Sequence, residues 1–100
     1  MEWKKKIMYS WQCFGENIIR NVFELSNVST DKELTDGVFE KVSKQLEVIN
    51  QGANVEYFIG KSICYELRKA GYFVNTYNIC MLVTKFIGET KRMSANKMQA

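Results

Sequence analysis

One hundred residues, 46% of them hydrophobic, suffice for one domain around one modest core and not for two. With no proline, helices can run uninterrupted, and the apolar content argues against disorder. The net charge of +3 is mild, and the absence of histidine removes the commonest general base, the usual zinc ligand and every serine–histidine or cysteine–histidine nucleophile pair.

Ile7, Trp11, Phe14, Ile18, Val22 and Leu25 recur at steps of three and four, with Met8, Ile19 and Phe23 widening the same side. This spacing predicts a helix from about residue 3 to residue 25, its aromatic residues anchoring a core. Lys4, Lys5 and Lys6 before an apolar run give the start a superficial likeness to a signal peptide. Gln12, Glu16, Asn17 and Arg20 interrupt that run and no small-x-small cleavage site follows, so the expectation is a soluble, cytosolic chain. In the cytosol the acceptor pattern at Asn27 carries no glycan.

Ser26-Asn27-Val28-Ser29 breaks the helix. Thr30-Asp31-Lys32-Glu33 reads as a capping box that starts a second helix, from about 31 to 50, with Leu34, Val38, Val42, Leu46 and Ile49 on its apolar face. Its other face, with Lys32, Asp36, Glu40, Lys41, Lys44 and Glu47, mixes signs as a solvated surface does. Gly52 suits the left-handed cap position beyond its end.

Asn54 is the expected N-cap of a third helix carrying Phe58, Ile59, Ile63, Leu67 and Ala70, with Glu56 in its first turn and Arg68 and Lys69 in its last. Gly71 closes that helix, Tyr72 folds back onto its end, and Tyr72-Phe73-Val74 form a hairpin that partly closes the bundle. Asn75 caps a fourth helix whose core face is Ile79, Leu82, Val83, Phe86 and Ile87. After Gly88 the pattern decays, and residues 93–100 read as a polar tail expected to fray. Four helices on short loops predict an all-α fold, an antiparallel up-down four-helix bundle, with residues 1–100 as one domain.

Cys13, Cys64 and Cys80 are an odd count without a CxxC pair, each in an apolar segment. They read as reduced core thiols, with a Cys64–Cys80 disulfide as the alternative. Gly60-Lys61-Ser62 looks like the end of a phosphate loop, but Val55 stands where the motif needs glycine and a helix where it needs a loop. Asp31, Glu33, Asp36, Glu40 and Glu47 lie on a polar face with no apolar pocket to raise a carboxyl pKa, so no enzymatic activity and no cofactor are expected. No segment approaches the ~20 apolar residues that span a bilayer.

Lys4 to Lys6 at one end and Lys85, Lys91, Arg92 and Lys97 at the other read either as solvated helix ends or as a basic surface facing phosphate or lipid headgroups. KAGYFVNTYNICML, residues 69–82, also resembles a helix-turn-helix, but bulky Leu67 stands where the first helix needs a small residue. The would-be reading helix turns apolar after Asn78. A nucleic-acid-binding regulator therefore stands second, and a phage or mobile-element inhibitor of a host enzyme is a third class.

The pattern NVEYFIGKSICYELRKAGYFVNTYNICMLVTKFIGETKR, residues 54–92, preceded by VFEKVSKQLEVINQG, residues 38–52, resembles the immunity proteins against pediocin-like (class IIa) bacteriocins, particularly the enterocin A immunity group. The resemblance implies a cytosolic, non-enzymatic four-helix bundle. Such a protein would act from inside on the bacteriocin's receptor, the mannose phosphotransferase permease, blocking the pore of the toxin–receptor complex. It implies partner contacts at Tyr72 and Asn75 in the hairpin and at Lys85, Lys91 and Arg92 toward the end of helix four. A basic end beneath a membrane protein would also favour peripheral contact with anionic headgroups.

Overall fold

The computed structural model describes the backbone over residues 2–48 and 54–99 and side chains over residues 9–48 and 54–90. Helices form where the apolar spacing places them: α1 (Glu2–Leu25), α2 (Lys32–Glu47), α3 (Val55–Lys69) and α4 (Thr76–Gln99). α1 packs on α2, α2 on α3, α3 on α4, and α4 closes back on α1, with a lighter diagonal contact between α1 and α3. Short connections and this cyclic adjacency make an all-α antiparallel up-down four-helix bundle.

The buried faces match the periodicity closely. Trp11, Ile18, Ile19, Val22 and Phe23 of α1 meet Val38, Val42 and Leu46 of α2, Val55, Ile59, Ile63 and Leu67 of α3, and Ile79, Val83 and Ile87 of α4. Each such aliphatic side chain, fully buried, contributes roughly 1.5–3 kcal/mol of transfer free energy. Phe14, Leu34, Phe58, Leu82 and Phe86 seal the edges.

Two glycines set how closely the helices pair. A Cβ on Gly15 would run into the Phe39 ring, which stacks on Trp11 at 5.4 Å between centroids. The Trp11 Nε1–H donates to Ser43 Oγ at 2.8 Å, so the largest core side chain has its polar atom satisfied. A Cβ on Gly60 would lie 2.8 Å from the Cys80 Cα, so α3 and α4 cross there almost backbone to backbone.

Helix ends are closed by local chemistry. The Asn54 Oδ1 accepts the Tyr57 N–H at 3.0 Å, and the Asn75 Oδ1 accepts the Asn78 N–H at 3.2 Å. At the end of α3, Gly71 has φ +97, its N–H donates to Arg68 O, and Tyr72 N–H donates to Leu67 O at 2.9 Å. That pair of bonds is the Schellman arrangement, with Tyr72 packing on the core as its apolar partner. α1 ends the same way: Asn27 takes φ 58, Val28 N–H donates to Phe23 O at 2.8 Å, and Val28 is buried.

Several expectations give way. The capping box does not form: Asp31 is the N-cap without a side-chain bond, and Ser29 Oγ takes the Asp31 N–H at 3.2 Å. With the Asp31 N–H turned to Ser29, the helix starts at Lys32, one residue later than Thr30 would set it. α2 closes at Glu47, with Val48 as its C-cap. α4 continues through Gly88 to Gln99, because a lone helical glycine costs only about 1 kcal/mol and no proline follows. Leu25 is 59% exposed, since α1 has turned its stripe away from the core by its last residue. Ala70, at the C-cap of α3, is exposed as well, and Cys13 is an exposed free thiol whereas Cys64 and Cys80 are buried free thiols. The expectations at Ile7, Met8, Ile49 and Gly52, and those on the side chains of Lys4 to Lys6 and of residues 91–100, lie outside the described residues.

Candidate docking surface

The connection between α3 and α4 is short, and hydrogen bonds hold it at both ends. Val74 O accepts from Arg68 Nη2 at 3.4 Å and from the Cys64 thiol at 3.8 Å. Arg68 Nη2 also reaches Thr76 Oγ1 at 3.1 Å, and Cys64 Sγ lies 3.3 Å from the same hydroxyl. With the Gly71 closure behind it and the Asn75 cap ahead, the loop is held on both sides.

One side chain stands apart from this packing. Tyr72 and Val74 lean on the core, while Phe73 between them is 101% exposed, as open as in an extended peptide. Leaving a phenylalanine in water forgoes roughly 1.5–3 kcal/mol. Beside it, Leu25, Val74, Ile79, Met81 and Leu82, with the polar Ser26, Asn75 and Asn78, line a groove of about 420 Å³ that Phe73 borders. Tyr77 and Met81, 70% and 54% exposed, continue the apolar character along the first turns of α4.

The surroundings carry both signs, since exposed Glu24 at the end of α1 and exposed Asp31 and Glu33 at the start of α2 stand at the same end of the bundle, the last two sharing a depression with Lys69 and Ala70. From Leu67 to Gly88 the chain carries Arg68, Lys69 and Lys85 and no acid. Lys69 is shared with the Glu66 carboxylate at 3.6 Å and lies 5.1 Å over the Tyr65 ring; Lys85 lies 5.8 Å over Phe86.

The residues that the resemblance implied are not brought into one site. Asn75 is exposed at the hairpin but uses its side-chain oxygen as a cap. Tyr72 is half-buried against the core rather than exposed. Lys85 is exposed on α4, about 14 Å along the helix axis from Thr76, while Lys91 and Arg92 lie on α4 about 22–24 Å from it. Phe73 and the groove were not singled out from sequence; the missed signal is the acid-free run around consecutive aromatics at a tight turn.

A second depression, of about 450 Å³, lies between α2 and α3, lined by Asp31, Glu33, Leu34, Gly37, Lys41, Glu66 and Lys69 among others. Its floor holds Glu66, whose side chain is 5% exposed and pairs with Lys41 at 3.4 Å as well as with Lys69. Its two lysine partners tie this buried carboxylate to α2 and to the last turn of its own helix. Among the described residues no group of three or more His, Cys, Asp or Glu could hold a metal ion, and no helix is long and apolar enough to cross a membrane. Gly60, Lys61 and Ser62 lie within α3, where Ser62 donates to Gln45 Oε1 at 2.7 Å and Lys61 lies 5.4 Å over the Tyr57 ring. The phosphate-loop likeness therefore has no loop.

Among the described residues two groups have displaced titrations. Burial pushes the Cys80 thiol up, the neighbouring Cys64 adds to this, and Lys61 opposes it. The Tyr9 phenol is raised chiefly by its hydrogen bond with Cys13 and by the charge of that group, both on the exposed side of α1. Neither group lines the hairpin groove. No protein-family model, curated protein or solved structure matches this chain.

Proposed function

We propose that this chain is a non-enzymatic binding protein that works in the cytosol through its α3–α4 hairpin, and that it acts as an immunity protein on a bacteriocin–permease complex. The observation that carries the binding reading is Phe73, fully exposed on a loop whose neighbouring residues are fixed by caps and hydrogen bonds. An aromatic carried on a backbone held by caps and hydrogen bonds, beside a largely apolar groove, is how an interface anchor is presented, because little backbone freedom is then lost on binding. The immunity assignment rests on the resemblance of residues 54–92 alone, and the hairpin lies within that stretch.

Expression in a sensitive lactic acid bacterium or Listeria strain tests the assignment. Resistance to a cognate pediocin-like peptide is expected, and it should weaken in the Phe73→Ser variant. Unchanged killing by a broad panel of such peptides counts against the immunity reading. Pull-down with wild type and Phe73→Ser then tests the binding reading by itself, since a host enzyme or nucleic acid retained in place of permease subunits would identify another partner.

A further inference from the structure

We propose that the hairpin end of the bundle pairs with a second copy of this chain, Phe73 of each copy entering the groove between α1 and α4 of the other. The proposal concerns the surface that the immunity reading offers to a partner but does not rest on that reading.

Three observations select a second copy. First, projection and recess belong to one patch. Phe73 is fully exposed at the hairpin, and the groove of about 420 Å³ that it borders lies between the end of α1 and the first turns of α4. A two-fold interface requires a surface complementary to itself, in which a projection on each copy finds a recess on the other. A space of about 150 Å³ accommodates a benzene ring, so a phenyl group fits within this groove. Ser26 and Asn78 at its edge offer hydroxyl and amide groups that another protein can bond and acyl chains cannot.

Second, the charges stand in the order that such a pairing needs. Glu24 is exposed on the α1 side of the groove, next to Leu25, and Arg68 is exposed beyond the hairpin, at the end of α3. Rotation about a two-fold axis running between Phe73 and the groove reverses this order. The step that brings Phe73 opposite the groove therefore also brings Arg68 of one copy opposite Glu24 of the other. Arg68 donates to the neutral acceptors Val74 O and Thr76 Oγ1, which fix its place and leave its charge uncompensated. Among the described residues neither Arg68 nor Glu24 has an ion-pair partner. Asp31 and Glu33 beside Lys69 complete a surface of both signs, which suits a partner of mixed charge rather than one of a single sign.

Third, the patch is large enough. Phe73, Tyr77, Leu25 and Met81 are each more than half exposed. Two of them are aromatic side chains of roughly 150–250 Å² each, and two such patches face to face reach the roughly 1,000 Å² that a specific interface buries.

Sedimentation equilibrium of the full chain, at loadings up to about 1 mM, tests the proposal. A monomer–dimer equilibrium is expected, with amide nitrogen-15 shifts that move on dilution at Leu25, Ser26, Phe73 and Asn78 and stay fixed at Val48, at the opposite end of the bundle. F73S should weaken association about tenfold or more, because two phenyl groups leave apolar contacts, whereas V48S should leave it unchanged. E24R and R68E should each weaken the dimer by setting like charges across it, and an equimolar mixture of the two should associate more tightly than either alone. Circular dichroism checks that each variant keeps the bundle; if R68E loses it with its hairpin bonds, E24R weakening the dimer more than E24Q makes the same test. A chain that stays monomeric at about 1 mM overturns the proposal. Equal association by F73S, shifts centred away from the patch, or a mixture no tighter than its components overturns it as well. A monomer that instead sediments with vesicles of phosphatidylcholine and phosphatidylglycerol overturns it in favour of lipid. The samples contain neither permease nor bacteriocin, so a negative result leaves the immunity reading to the killing assay.

Discussion

Asn27 and Gly71 solve one geometric problem at two helix ends, at different cost. Both take positive φ, 58 and +97, and both release the chain through the same pair of backbone bonds. For an L-residue the left-handed region costs about 1–2 kcal/mol, and asparagine is penalised less than most. Asn27→Gly should therefore stabilise by a few tenths to about 1 kcal/mol, whereas Gly71→Ala should destabilise by about 1–2 kcal/mol. No heavy atom lies within 4 Å of a Cβ at Gly71, so the loss there is conformational rather than steric. Urea midpoints of the two variants should move in opposite directions; a shared sign would refute the common-geometry account. The caps at Asn54, Gly71 and Asn75 were legible in the sequence because cap chemistry is decided within four residues. The box at Thr30 was misread for a related reason: Ser29 is an equally local competitor, and spacing does not rank the two. Phe73 was not legible as an exposed anchor, because exposure depends on where α1 and α4 lie.

Helix pairing depends on residues that have no side chain to read. Gly60 and Gly88 are both helical glycines, yet alanine should act oppositely at the two. At Gly60 the new Cβ would sit 2.6 Å from Cys80 Sγ and 2.8 Å from its Cα, so α3 and α4 must separate. The cost should be about 1–3 kcal/mol, the range for overpacking. At Gly88 nothing lies within 4 Å, and alanine should add up to about 1 kcal/mol through helix propensity. Thermal melts of G60A and G88A decide this, and a stabilised G60A would mean the crossing is looser than it stands. Glu66 ties the neighbouring pair, α2 and α3, through Lys41 and Lys69. Removing both lysines strands a 5%-exposed carboxylate. Because the lysines are half-exposed or more, the expected loss is about 1–2 kcal/mol rather than that of a fully buried pair. A K41A/K69A variant as stable as wild type would show that water reaches the carboxylate. The helix faces were legible because Ile59, Ile63 and Leu67 repeat at helical spacing. Glu66, three residues after Ile63, stands on that same stripe, and its place there is the signal that it would be buried with partners.

At the scale of the whole molecule, the cysteines divide the bundle into a surface and a seam. Cys13 lies open on α1, while Cys64 and Cys80 are enclosed between α3 and α4, bonded to Val74 O and Tyr57 O. With Ellman's reagent, one thiol should react quickly in the native protein. The other two should react only as urea opens the fold, at rates that follow global unfolding because α4 closes the ring by packing on both α3 and α1. The raised Cys80 thiol adds a pH signature. Its ordinary value is 9.0 and burial raises it in the fold, so the native state holds that proton more tightly than the unfolded chain. The resulting contribution is fully present below the unfolded value and is lost as pH rises through the folded one. Stability should thus be unaffected by this group at neutral pH and should decline in the alkaline range above about pH 9. Cys80→Ala removes the titrating group and leaves the Gly60 crossing open, so its alkaline decline should be shallower than that of wild type. Identical slopes would show that the Cys80 thiol does not carry the decline. A shallower one would place a proton-linked part of the bundle's stability in the α3–α4 seam, directly behind the hairpin that carries Phe73.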